Sequence, residues 1–130
     1  MYSTTTQHVT VSVEPTYLSQ ESAPEQNIYV WAYKVRIENK GEEVLQLKTR
    51  HWKITDAYGR IQEVHGPGVV GEQPVLKPGE SFEYTSGTPL STPSGIMVGT
   101  YAMQLTDGSL MDIAIPAFSL HTPELSKRLN

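Results

Sequence analysis

Alternating polarity along short segments, each cut off by glycine or proline, constrains this chain more than any other feature. Val9, Val11 and Val13 alternate with Thr10, Ser12 and Glu14, the period-two pattern of a strand with one buried face. Between Ile28 and Asn39, the residues Tyr29, Trp31, Tyr33, Val35 and Ile37 share one face. The opposite face changes from Ile28, Val30 and Ala32 to Lys34, Arg36 and Glu38, so the strand starts buried on both sides and ends solvated on one. Turn chemistry at Asn39 to Glu42 predicts a hairpin into a strand from Val44 to Thr55. There, alternation places Leu45, Leu47, Thr49 and His51 on one side and Val44, Gln46, Lys48, Arg50, Trp52 and Ile54 on the other, a mixture on both faces.

The remaining punctuation follows the same logic. Asp56 to Arg60 is a turn, Ile61 to His65 a short strand, and Gly66 to Gly71 a glycine-rich bend. Pro78 and Gly79 make a tight turn before a strand from Ser81 to Ser86. Leu90 to Gly95 reads as loop and Val98 to Thr106 as strand. Asp107-Gly108 predicts a two-residue type I′ hairpin, and Leu110 to Ile115 is a last strand closed by Pro116. Met1 to His8 reads as a polar tail, Pro15 as a strand end, and Pro123 to Asn130 as the one segment suited to a helical turn. Seven or eight such strands predict an all-β sandwich of two antiparallel sheets, forming a single domain over residues 1–130.

Composition removes several functions. The formal charge is -4 and the 10 basic residues are scattered, with Lys48, Arg50 and Lys53 the densest group, so nucleic acid is not an expected partner. With no cysteine there is no thiolate nucleophile and no Cys-ligated metal. Met1 to His8 has no apolar core of a signal peptide, and no run approaches the roughly 18 apolar residues that cross a bilayer. A cytoplasmic protein without membrane contact is the expectation.

Gly66, Gly68 and Gly71 spell G-x-G-x-x-G, but a dinucleotide fingerprint needs a following helix whose N-terminus holds the pyrophosphate. Val69 and Val70 are poor helix formers, Pro74 follows, and Pro67 lacks a backbone donor. A sharp bend is the simpler reading; an anion nest of the other amides is the functional alternative. Glu63 and His65 share a strand face and are weak metal candidates, since a competent site needs three or four ligands. No nucleophile elbow or marked triad occurs, so no catalytic residue is assigned. Trp31, Tyr29, Tyr33 and Trp52 suit a core; any left exposed would suit a protein interface.

The ordered string Arg50-His51-Trp52-Lys53-Ile54-Thr55-Asp56, Gly59, Val64-His65-Gly66-Pro67-Gly68-Val69-Val70-Gly71-Glu72-Gln73-Pro74 and Leu76-Lys77-Pro78-Gly79 resembles the ApaG family, also called CorD or the DUF525 domain. Ser86-Gly87, Leu90 and Gly95-Ile96-Met97-Val98-Gly99-Thr100-Tyr101 continue the resemblance, which covers about residues 7–125. It implies an immunoglobulin or fibronectin type III-like β-sandwich. Bacterial relatives are associated by gene context with dinucleoside tetraphosphate hydrolysis and, through the CorD name, with cobalt tolerance and magnesium efflux, without an established enzymatic activity. In eukaryotes the domain is appended to F-box proteins and to a DNA polymerase delta-interacting protein, which implies a protein-interaction module.

These readings converge on a non-catalytic binding module with a protein partner, a second copy of the chain being one option at an exposed sheet edge. The candidate contact surface is Arg50, Trp52, Gly66, Gly68, Val69, Val70, Gly71 and Gln73. The alternative is a phosphorylated small molecule, pyrophosphate or a dinucleotide, with a divalent metal ion as the one cofactor left open.

Overall fold

The strand with the cleanest alternation, β3 (Tyr29–Asn39), lies inside a four-stranded antiparallel sheet. Its neighbours are β2 (Val9–Tyr17), which pairs outward to β1 (Tyr2–Thr6), and β7 (Ser81–Leu90). The second sheet runs β5 (Ile61–Pro67), β4 (Leu45–Asp56), β8 (Ser94–Leu105) and β9 (Leu110–His121), with the two-residue β6 (Val75–Leu76) also on β4. The computed structural model describes residues 1–123. Pro123 apart, the expected C-terminal helical turn lies outside them.

The sheets pack face to face as a β-sandwich, with Val9, Val11, Val13, Trp31, Val35 and Ile37 of one sheet meeting Leu47, Trp52, Tyr101, Met103, Ile113 and Phe118 of the other. Trp31 Nε1 donates to the His121 carbonyl at 3.2 Å, tying the sheets at one end. Tyr33 (β3), Trp52 (β4) and Phe118 (β9) form an aromatic cluster between the layers, with centroids 5.5–5.9 Å apart. Among the described residues no helix is long and apolar enough to span a membrane.

Five sequence expectations are corrected. The N-terminal tail is strand β1, because Gln7 and His8, with φ of 47° and 69°, make a tight reverse turn without a turn-forming residue. Pro15 does not end β2; it lies beyond the last β1 pair, Tyr2 with Val13, where β2 has no neighbour on that side. Pro116 does not end β9, because it sits where the β8–β9 register slips and the buried positions change from Ile113 and Ile115 to Phe118 and Leu120. Leu90 to Gly95 shortens to a turn at residues 91–93, with Pro89 tolerated on edge strand β7. The Asp107-Gly108 hairpin is wider than a two-residue turn: Gly108 alone is left-handed, at φ 89°, its N–H donates to the Leu105 carbonyl and Leu105 N–H to Ser109. That is the bulged form of a type I turn.

The same kind of slip explains the mixed faces of β4. Its register with β8 shifts between Leu47 and Thr49. Before the bulge Leu45 and Leu47 face the core; after it Trp52 and Ile54 do. A single extra residue therefore turns Arg50 inward and His51 outward.

Candidate functional site

Arg50 is paired with Gly66 on β5 and with Tyr101 on β8, so its side chain rises from the inner face of the second sheet near its β5 edge. The guanidinium lies across Gly66, where an added Cβ would fall 2.8 Å from Nη1. Position 66 thus stays bare to seat an arginine. Nη1 donates to the carbonyls of Pro67 at 3.0 Å and Gly68 at 2.9 Å, latching the start of the loop. Arg50 also faces the phenols of Tyr33, Tyr84 and Tyr101. Burial pushes all three phenols up and the arginine charge opposes it, so they serve as neutral hydroxyls, with Tyr84 hydrogen-bonded to Tyr101.

The carbonyl of Lys48, the residue at the β4 bulge, holds the loop a second time. It accepts from Gly68 N–H at 2.9 Å and from Gln73 Nε2 at 2.9 Å. Val69 and Glu72 exchange both backbone hydrogen bonds, at 2.8 and 2.9 Å, closing a two-residue turn of Val70 (φ 43°) and Gly71 (φ 81°). Both central residues are left-handed, as a type I′ turn requires. Val69 is buried, whereas Val70 at the tip is 56% exposed. The glycine string is therefore the end of a strand and a reverse turn, with no helix N-terminus behind it. Its amides at Gly68, Val69 and Glu72 donate to carbonyls of the chain itself, so they are committed to closing the loop and not to an anion.

The eight candidate contact residues accordingly divide. Arg50, Gly66, Gly68, Val69, Gly71 and Gln73 build the loop, and Val70 is what it presents. Trp52 is 3% exposed and belongs to the core, which withdraws its side chain from the contact surface. Trp31 and Tyr33 are likewise buried and Tyr29 is partly buried against the core, so the aromatic row of β3 is packing.

On the outer face, register brings a residue to Glu63 and His65 that strand-face reasoning on β5 alone missed. His51 lies directly opposite His65, the two rings stacked at 4.0 Å with an 8° interplanar angle. His51 Nε2 is 3.4 Å from Glu63 Oε1. The signal was present: His51 and His65 are equidistant from Tyr58 at the centre of the turn. That turn is pinned by Asp56 Oδ1, which accepts from the amides of Tyr58 at 2.9 Å and Arg60 at 3.0 Å.

The ApaG domain family matches residues 19–105. The chain belongs to the ApaG family. Protein ApaG of Paramagnetospirillum magneticum is 65% identical over 130 residues and that of Rhodospirillum centenum 62%, each pair covered end to end. A crystal structure described as an ApaA protein from Bordetella pertussis has a TM-score of 0.86 at 52% identity, over 88% of this chain and 94% of that one. The matched segment contains Arg50, the whole 66–73 loop and the His51, Glu63 and His65 group.

Proposed function

We propose that this ApaG-family chain is a non-catalytic protein-binding module whose contact is the Gly66 to Gln73 loop, with Val70 as the side chain presented to the partner. One observation carries the reading: a β-branched residue is held in the left-handed region, at φ 43°, while 56% exposed. That backbone costs roughly 1–2 kcal/mol in a residue other than glycine. Burial inside the fold does not offset it, because the side chain points to water. Asparagine or glycine would make the same turn with less strain. The valine is accounted for by what it touches outside the chain, an apolar pocket on a partner. The latches from Arg50, Lys48 and Gln73 hold the tip in place beforehand, which lowers the ordering cost of binding.

Affinity capture with the full chain tests this. Val70→Asp is expected to reduce recovery of the proteins retained by wild type about thirtyfold, the weight of a ~2 kcal/mol hot-spot side chain. Tyr58→Asp, in the exposed turn at the other end of β5, is expected to leave recovery unchanged. An undiminished set on Val70→Asp overturns the proposal.

A further inference from the structure

On the outer face of the β5–β4 pair, turned away from Arg50, three side chains of metal-ligating chemistry converge. We propose that His51, Glu63 and His65 bind a divalent transition-metal ion of borderline softness, for which Zn²⁺ is the fitting probe. One ligand atom from each lies within 4.8 Å of the other two. His51 Nε2 is shielded from solvent yet has no hydrogen-bond partner among the described residues; the Glu63 oxygen at 3.4 Å is off the line a hydrogen bond needs. A ring nitrogen left in that state is the group a metal ion would satisfy.

The donor set decides the class of ion. Two imidazoles and one carboxylate form the ligand set of zinc sites that keep an open position, whereas Mg²⁺ and Ca²⁺ favour all-oxygen shells. The backbone supplies most of the preorganisation, since His51 and His65 are directly paired and Glu63 is two residues along the same face of β5. Stacked rings direct their in-plane lone pairs side by side, so a shared ion requires each ring to rotate until the lone pairs converge. Zn–N bonds of about 2.0–2.1 Å place ligand atoms roughly 3.4 Å apart, a closure of up to about 1.4 Å from the present spacing. His65 is exposed and the His51 side chain is 38% exposed, so both have room to turn. Lys53 is paired directly opposite Glu63, so one lysine shares the outer face with the three ligands. Three protein ligands leave a fourth position for water or for a donor from a bound partner.

Calorimetric titration of the tag-free full chain with ZnCl₂ is expected to show one saturable ion per chain, with MgCl₂ giving no heat at the same concentration. His51→Ala and His65→Ala are each expected to weaken Zn²⁺ about tenfold or more, and His8→Ala to leave it unchanged. The wild-type imidazole NMR resonances of His51 and His65 are expected to shift on addition of Zn²⁺, a readout that needs no variant. Absence of saturation at millimolar Zn²⁺, wild-type affinity in His51→Ala, or shifts confined to His8 and His121 would each overturn the site.

Discussion

Replacing Trp52 by alanine is expected to destabilise the fold by about 3–5 kcal/mol and to lower its melting temperature on the order of 10 °C. The ring is 3% exposed and meets Tyr33 of the facing sheet and Phe118 of β9 edge-on, at 5.5 and 5.9 Å. It also lies over Gly99, where a Cβ would come within 2.8 Å of the ring atom Cε3. Gly99 has no side chain to move into the vacated volume, so the cavity persists and the loss falls toward the upper end of the range. Total stability for a domain of this size is roughly 5–15 kcal/mol, so the variant retains a thin margin. Urea denaturation of the variant against wild type measures it, with Tyr58→Ala as a surface control expected to change stability by less than about 0.5 kcal/mol. A loss under ~1 kcal/mol for Trp52→Ala would show that the ring is not part of the core described here.

The second large effect belongs to Gly68→Ala. Two costs add at this position: φ is +61°, and a Cβ would overlap the carbonyl oxygen of Glu72 and sit 2.9 Å from its carbon. Both colliding atoms are backbone, so relief requires the Val69–Glu72 turn to open. Gly71→Ala isolates the first cost, because φ there is +81° with nothing within 4 Å of the added atom. Gly71→Ala is expected to lose about 1 kcal/mol, and Gly68→Ala about 3 kcal/mol with exchange protection lost at the amides of Gly68, Val69 and Glu72. Equal effects from the two substitutions, measured by denaturation and hydrogen exchange, would mean that the loop is not closed as described.

The fold was most readable where alternation was undisturbed and least where one residue was inserted. In β3 the buried set Trp31, Tyr33, Val35 and Ile37 follows directly from spacing. In β4 the bulge at Lys48 changes phase between Leu47 and Trp52, and a strict period of two then groups His51 with the core residues Leu45 and Leu47 and Arg50 with the outward Gln46. Strand β1 was hidden because its turn is built from Gln7 and His8, whose left-handed backbone is imposed by pairing with β2 and not by side-chain preference. The prolines misled for a related reason: Pro15 stands beyond the last β1 pair and Pro116 at a register slip, where a missing N–H breaks no ladder.

The candidate loop was legible as glycines and illegible as mechanism. Gly68 and Gly71 announce a bend, but the arginine seated on Gly66 comes from a strand 16 residues earlier, placed there by the β4–β5 register. The strain at Val70 has no sequence signature, since valine is the residue that turn chemistry disfavours. By contrast, the pairing of His51 with His65 follows from the turn centre at Tyr58 once the hairpin is taken as symmetric.

The claim that Val70 is retained for contact and not for the fold is tested most directly by Val70→Asn, measured for melting and for partner recovery on the same preparation. Asparagine tolerates the left-handed backbone and forms the favoured type I′ pair with Gly71. The melting temperature is expected to rise by about 3 °C, corresponding to ~1 kcal/mol of relieved strain, together with a severalfold fall in recovery of the proteins that wild type retains. An unchanged or lowered melting temperature, or recovery equal to wild type, would contradict it.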